Sequence, residues 1–305
     1  MTEALAIEGL GKSFGAMRAV DGISLTVHEG EMFGIVGPNG SGKTTLFRML
    51  CGIMKPSEGT ARIFGHDIHT GMEEIKRRIG YFSQRFTLYG DLSVDENIEF
   101  FAEIHDVRDY GQWREELLAF TRLAPFRGRL AERLSGGMKQ KLALACTLIH
   151  RPRLIFLDEP TTGVDPISRM DFWKILSALL KTNITIVMST PYLDEAERCS
   201  RVALMNKGSV MALDTPANIK DQMRVEVLEI VCGEIRAAAR LLKGAPGILD
   251  VQAFGDRLNV VVEESEAGFI KVESILRSGG IAITDWRPVK PSLENVFISL
   301  LTSAV

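Results

Sequence analysis

Gly37-Pro38-Asn39-Gly40-Ser41-Gly42-Lys43-Thr44 is the stretch that decides the fold. It matches G-x-x-x-x-G-K-[ST], a pattern whose small residues let backbone N–H groups curl around phosphate oxygens. The apolar run Met32 to Val36 precedes it and reads as a buried strand. Gly37 to Thr45 reads as the loop, and Leu46 to Ile53 as a helix that stops before Pro56. Strand, glycine-rich loop and helix in that order form the context the pattern needs. The helix points its positive end at the loop, Lys43 adds a cation, and the Thr44 hydroxyl can ligate Mg²⁺.

A phosphate site of this kind needs a carboxylate ending a neighbouring buried strand. Leu154-Ile155-Phe156-Leu157-Asp158 fits, with Glu159 next. Asp158 would hold Mg²⁺ through water, and Glu159 can polarise an attacking water. Further strands are predicted at Gly80 to Ser83 and Ile184 to Met188. Helices are predicted at 136–149 and at Ser168 to Leu180. Strands alternating with helices imply a parallel sheet. The first segment, Leu5 to Gly30, reads as two strands of an antiparallel region. The stretch 92–150 is rich in helical periodicity and reads as a helical subdomain.

The pattern changes near Gln222. Strand Val225–Val231, helix Glu234–Leu242, strands Ile248–Phe254 and Leu258–Val262, helix Glu266–Arg277 and strand Ile281–Trp286 follow. That β-α-β-β-α-β order predicts a small ferredoxin-like α+β domain, closed by a helix around Leu293 to Leu301. The expected division is therefore 1–224 and 225–305.

Composition limits the function classes. The 305 residues are 46% hydrophobic and 25% charged, ordinary for a folded chain, and the formal net charge is -3. Nothing basic points to nucleic acid, which is not an expected partner. No apolar run approaches the ~18 residues of a membrane span. The four cysteines, Cys51, Cys146, Cys199 and Cys232, form no C-x-x-C pair and read as free thiols of a reducing cytoplasm.

Together the motifs resemble the ATP-binding cassette ATPases, over roughly residues 3–220. Leu134-Ser135-Gly136-Gly137-Met138 looks like the family signature. Gln84, after Tyr81-Phe82-Ser83, looks like the Q-loop glutamine, and Pro160-Thr161-Thr162-Gly163-Val164-Asp165 resembles the D-loop. The resemblance implies a P-loop NTPase core with a RecA-like sheet. It implies ATP and Mg²⁺ as ligands, the metal held by Thr44, Gln84 and Asp158, and catalysis by Glu159 with Lys43 and Gln84. Phe14 sits where the family stacks an aromatic on adenine, although an aromatic near an N-terminal strand also suits a core. Physical chemistry supports the signature independently. Ser135 is a good N-cap, and Gly136 and Gly137 leave N–H groups bare at a helix start. In the family, two cassettes pair head to tail and each signature caps the other's nucleotide. A homodimer or a heterodimer with a second cassette is therefore expected.

The chain departs from the family at the switch region, Ser189-Thr190-Pro191-Tyr192-Leu193-Asp194-Glu195-Ala196-Glu197. Pro191 stands where the family places a histidine. Proline has no donor, and it pushes Thr190 toward extended geometry. Either Glu159 suffices and hydrolysis is slow, or the subunit pairs with a cassette whose site is intact.

The short stretch between Gln84 and Ser135 leaves no room for the long insertions of soluble repair cassettes. Pro291-Ser292-Leu293-Glu294-Asn295-Val296-Phe297 resembles the ending of drug and polysaccharide exporter ATPases. The expectation is an export ATPase subunit that energises a separate integral-membrane permease. It would be cytoplasmic and peripheral on the inner face of the cytoplasmic membrane. The alternative is a soluble regulatory or repair cassette. The permease's helix is expected to dock near Phe86 to Phe101, on Leu88, Tyr89 or Leu92.

Overall fold

The computed structural model describes residues 2–84, 88–222 and 225–303. The chain divides into two compact units, Met1–Leu213 and Asp214–Val305.

The first unit opens with two long strands, β1 (Glu3–Phe14) and β2 (Met17–His28), paired antiparallel. Then come β3 (Met32–Val36), α1 (Lys43–Leu50), β4 (Glu58–Ile63), β5 (His66–Asp67), α2 (Met72–Arg78) and β6 (Ile79–Phe82). Three helices, α3 (Val94–Ile104), α4 (Gly111–Phe120) and α5 (Gly136–Leu148), lie where helical periodicity was read. The alternating pattern resumes with β7 (Leu154–Asp158), α6 (Pro166–Leu180), β8 (Thr185–Thr190), α7 (Leu193–Ala196), β9 (Arg201–Asn206) and β10 (Ser209–Asp214).

One sheet, in the order β2-β1-β4-β5, is antiparallel. The other runs β10-β9-β3-β8-β7-β6, and its pairings from β9 to β6 are parallel. Strands β3, β7 and β8 are buried at every position, as near-continuous apolar runs covered on both faces should be. Each apolar side chain so buried contributes about 1.5–3 kcal/mol relative to exposure. One cluster joins the two sheets through Leu5, Ile7, Phe33, Ile35, Phe47 and Phe156. Phe47 and Phe156 meet edge to face at 5.3 Å, which seats α1 on β7.

Two helix starts lie earlier than the sequence pattern suggested. Helix α1 begins at Lys43 rather than Leu46, because Gly42 ends the loop at φ 103° and the chain turns helical at once. Helix α6 begins at Pro166 rather than Ser168. Asp165 caps it by accepting from the Ser168 N–H at 2.9 Å, and proline suits the first turn.

The second unit begins with α8 (Pro216–Asp221), capped by Thr215. It continues with β11 (Glu226–Cys232), α9 (Ile235–Leu242), β12 (Asp250–Phe254), β13 (Arg257–Val262), α10 (Ser265–Ser278), β14 (Ile283–Val289) and α11 (Leu293–Ser303). The sheet order β12-β13-β11-β14, antiparallel throughout, is the split β-α-β arrangement that the element order predicted. Leu228, Ile230, Val260, Val272 and Leu276 form its core, and Phe269 stacks on Trp286 at 3.9 Å. Helix α8 packs against α11, which puts the division ahead of residue 225.

Candidate functional site

The parallel sheet brings the motif residues together by register. Val36 pairs with Thr190, Asp158 with Ser189, and Phe82 with Leu157. The loops leaving β3, β7, β8 and β6 therefore emerge side by side at the carboxyl edge. Open α/β sheets bind ligands at this edge. Gly37 N–H donates to the Thr190 carbonyl at 3.2 Å and ties the phosphate loop to the switch loop. A Cβ on Gly37 would collide with the Met205 carbonyl oxygen, so only glycine lets the loop pass there.

Lys43 is nearly closed to solvent. Its Nζ donates to the Gly37 and Pro38 carbonyls at 2.8 and 3.0 Å and lies 3.3 Å from Glu159 Oε1. Burial lowers the Lys43 pKa, and the Glu159 carboxylate opposes that shift. The ammonium thus sits over the loop where phosphate oxygens would lie. The Ser41 hydroxyl, also in the loop, is buried with no hydrogen-bond partner among the described residues.

Asp158 is fully buried. Its Oδ1 accepts from Ser189 at 2.6 Å and Thr44 at 3.2 Å, and its Oδ2 accepts from Tyr81 at 3.4 Å. Burial raises its pKa, and the Ser189 and Thr44 hydrogen bonds counter part of the rise. Thr44 and Asp158 form an oxygen-only donor pair beside the phosphate loop. A hard divalent cation that completes its shell with phosphate and water oxygens suits such a pair. These residues therefore fit Mg²⁺.

Glu159 adopts φ 50°, uncommon for a residue with a side chain. Ser189 holds it there: Glu159 N–H donates to both the Ser189 carbonyl and hydroxyl at 3.1 Å. The strained turn aims the carboxylate back at Lys43. Gln84 Nε2 donates to Glu159 Oε2 at 2.9 Å, and the Thr162 hydroxyl approaches the same oxygen at 3.4 Å.

A cavity of about 610 Å³ is lined by Phe14, Asn39, Gly40, Gly42, Lys43, Thr44, Thr45, Gln84 and Glu159. Phe14 is 44% exposed, with Lys12 Nζ 5.4 Å from its ring centre, so the ring faces the cavity and not a core. Met17, Arg18, Ala19 and Lys207 complete the lining. Sequence reading gave these four no role, since nothing in their spacing marks them.

The signature lies elsewhere, with Ser135, Gly136 and Gly137 outside that lining. Ser135 caps α5 by accepting from the Met138 N–H at 3.3 Å. Gly137 is packed so closely on Ser168 that a Cβ would strike that hydroxyl. Ser135 and Gly136 are exposed, and Asp165 caps α6 with a pKa lowered by the Ser168 N–H. Pro191 follows the last residue of β8, so Thr190 is extended as a residue before proline should be. Of the expected docking residues, Tyr89 is exposed and meets Phe100 edge to face at 4.4 Å, while Leu88 and Leu92 are half-buried. Phe86 lies outside the described residues.

The sequence reading also missed Glu195. It is completely buried and gathers the Thr161, Thr190, Arg169 and Trp173 side chains. It lies in the switch region, but nothing in the sequence singles it out from Asp194 and Glu197 beside it.

Comparison with known proteins gives a consistent picture. A family model described as ABC transporter matches residues 20–162. The probable multidrug ABC transporter ATP-binding protein YbhF of Escherichia coli is 38% identical over 309 residues. That alignment covers 98% of this chain and 52% of the relative, so the chain spans about half the relative's length. The daunorubicin/doxorubicin resistance ATP-binding protein DrrA of Streptomyces peucetius is 33% identical, covering 98% of this chain and 92% of DrrA. Among solved structures, cbiO1 from Clostridium perfringens, part of the ABC transporter complex cbiONQ, superposes with a TM-score of 0.65. It is 28% identical, over 73% of this chain and 92% of that one.

Proposed function

The chain belongs to the ABC transporter ATP-binding family, and from that premise we propose that it binds and hydrolyses ATP to drive export through a separate membrane permease. The observation that carries the reading is the convergence of Lys43, Thr44, Gln84 and Glu159 on one cavity, with Asp158 beside it. Backbone N–H groups of the loop and the start of α1 would bind the β- and γ-phosphates. Lys43 would exchange its carbonyl contacts for phosphate oxygens. Glu159, held at a fixed angle by Ser189 and Gln84, would take a proton from the attacking water. Thr44 and Asp158, with Gln84, would hold Mg²⁺, which when bound would neutralise charge on the phosphates. Phe14 offers an exposed ring on which adenine can stack, a contact worth about 1–3 kcal/mol by analogy with other base–aromatic pairs.

The exposed Ser135–Gly136 helix start is a second anion site, and in a head-to-tail pair it would cap the other protomer's nucleotide. We read the first unit, residues 1–213, as the cassette and the second, residues 214–305, as an accessory domain. No helix among the described residues is long and apolar enough to cross a membrane. By its likeness to transporter ATP-binding subunits, the chain would act at the cytoplasmic face beside its permease. We place docking of a permease helix at a second cavity, of about 630 Å³, which meets the expected segment at Phe101 but is not lined by Leu88, Tyr89 or Leu92. Ile53, Tyr81, Phe101, Ile104 and Val107 supply apolar walls, with Lys76 and Arg77 at hand. Tyr81 lines that cavity and also donates to Asp158, which gives an occupant a path to the nucleotide site. The relatives that support export are named for multidrug handling and for daunorubicin and doxorubicin resistance.

The test is steady-state phosphate release by the purified chain with Mg-ATP, with and without EDTA. Mg²⁺-dependent release supports the reading. Failure to bind ATP in either condition contradicts it.

A further inference from the structure

We infer that Glu195 is a positioning residue that joins the switch loop at Pro191 to the D-loop at Thr161 as one mechanical unit. Its carboxylate has no exposure to solvent. Oε2 accepts from the Thr190 hydroxyl at 2.6 Å. Oε1 accepts from the Thr161 hydroxyl at 2.5 Å, Arg169 Nε at 2.7 Å and Trp173 Nε1 at 3.4 Å. Four donors from three segments thus end on one carboxylate.

The bond to Thr190 reaches past the proline. The Thr190 hydroxyl oxygen also accepts from the Tyr192 N–H at 3.0 Å. The residues before and after Pro191 are therefore fixed through one oxygen, and that oxygen is fixed by Glu195. On the far side, Thr161 follows Glu159 by two positions, in the loop that leads to the cap Asp165. Arg169 secures the assembly from α6. Besides Glu195 it binds Asp194 at 2.8 Å, and its guanidinium lies 4.8 Å from the Tyr192 ring centre.

Burying a carboxylate is costly unless its oxygens are paired and hydrogen-bonded. A position that needed only filling would be occupied at lower cost by an apolar side chain. What the carboxylate alone provides is acceptance in several directions, and here those directions lead to two different loops of the site. The consequence concerns Pro191. With no side-chain donor, this position contributes through where its backbone is held, and Glu195 determines that.

The inference rests on the ATPase reading for its kinetic arm only. In the full chain, Thr190→Val and Thr161→Val each remove one hydroxyl at nearly constant volume. Each should lower kcat for Mg-ATP about three- to tenfold with KM within about twofold. Together they should cost less than the product of the two, because each breaks the same bridge. Glu195→Ala should lower kcat by about tenfold or more, and Glu195→Gln should recover most of it. Should Glu195→Ala fail to fold, the two valine variants decide. A second arm needs no turnover. Thr161→Val, at one end of the bridge, should speed amide exchange of Tyr192 at the other by about fivefold or more. Wild-type kcat in both valine variants, independent multiplication of their effects, or unchanged Tyr192 exchange would each overturn the inference. If the wild-type chain hydrolyses no ATP, the functional reading fails while the exchange arm still decides the bridge.

Discussion

Lys43 Nζ and Glu159 Oε1 stand 3.3 Å apart with both side chains almost closed to solvent. The cation meant for phosphate and the carboxylate meant for water are therefore electrically coupled. Lys43→Ala removes the cation and leaves the Glu159 carboxylate buried with hydrogen bonds from Gln84 and Thr162 but without its paired charge. Breaking a buried pair from one side costs about 3 kcal/mol. The variant should lose phosphate release and nucleotide affinity and should melt at a lower temperature. Calorimetric titration with ATP and a thermal scan check this, and wild-type values in both would contradict it.

Pro191→His should raise the rate of the chemical step. The loop follows β8 directly and is braced by Thr190 and Glu195, so a histidine there would stand on a fixed backbone. One transition-state hydrogen bond is worth roughly 1.4–3 kcal/mol, or about ten- to a hundredfold. Single-turnover hydrolysis at saturating Mg-ATP is the measurement. An unchanged or lower rate in a folded, ATP-binding variant would show that the proline loop works by its own geometry.

Acid should destabilise the fold through His150. Burial, with the stacked His105 ring at 4.0 Å adding to it, lowers the His150 pKa to about 4. The unfolded chain binds this proton near pH 6.5 and the folded chain does not. The stabilisation is therefore complete above about pH 6.5 and is lost as pH falls toward about 4, amounting to roughly 3 kcal/mol. His150 Nε2 lies 2.8 Å from the Ile79 carbonyl, a contact an amide can replace. Urea melts of wild type and His150→Gln between pH 7 and 4.5 should show a shallower decline in the variant. Parallel declines would exclude His150 as the source.

Residues 1–213 should fold and bind ATP alone. The phosphate loop, Asp158, Glu159, Gln84 and Pro191 all lie within that unit, with their own core. An aggregated or non-binding fragment would contradict this.

The sequence was most readable where chemistry restricts both residue type and spacing. The phosphate loop needs glycine at Gly37 because Met205 crowds it, and that need appears directly as a motif. Asp158 and Glu159 were readable because a wholly apolar strand ends on two carboxylates. The β-α-β-β-α-β element order of the second unit was readable from hydrophobic periodicity. The boundaries were less so. The start of α1 depends on the φ of Gly42, and α6 on the cap at Asp165, both local features inside motifs read for other reasons. Glu195 was hidden because burial is a tertiary property. Its neighbours Asp194 and Glu197 are exposed, and its partners Thr161, Arg169 and Trp173 arrive from distant segments. Ser189, which holds both Asp158 and Glu159, was hidden for the same reason.

Glu159→Gln in the full chain tests the nucleotide site and its base together. The substitution removes the base while leaving Lys43, Thr44, Asp158 and the exposed signature helix to bind Mg-ATP. Light scattering with Mg-ATP, together with the nucleotide retained after gel filtration, reads the outcome. A stable dimer holding unhydrolysed ATP is expected, with phosphate release reduced by about a hundredfold or more. A variant that hydrolyses ATP at the wild-type rate would contradict the assignment of Glu159. A monomer holding no nucleotide, under conditions where wild type binds ATP, would contradict the nucleotide site itself.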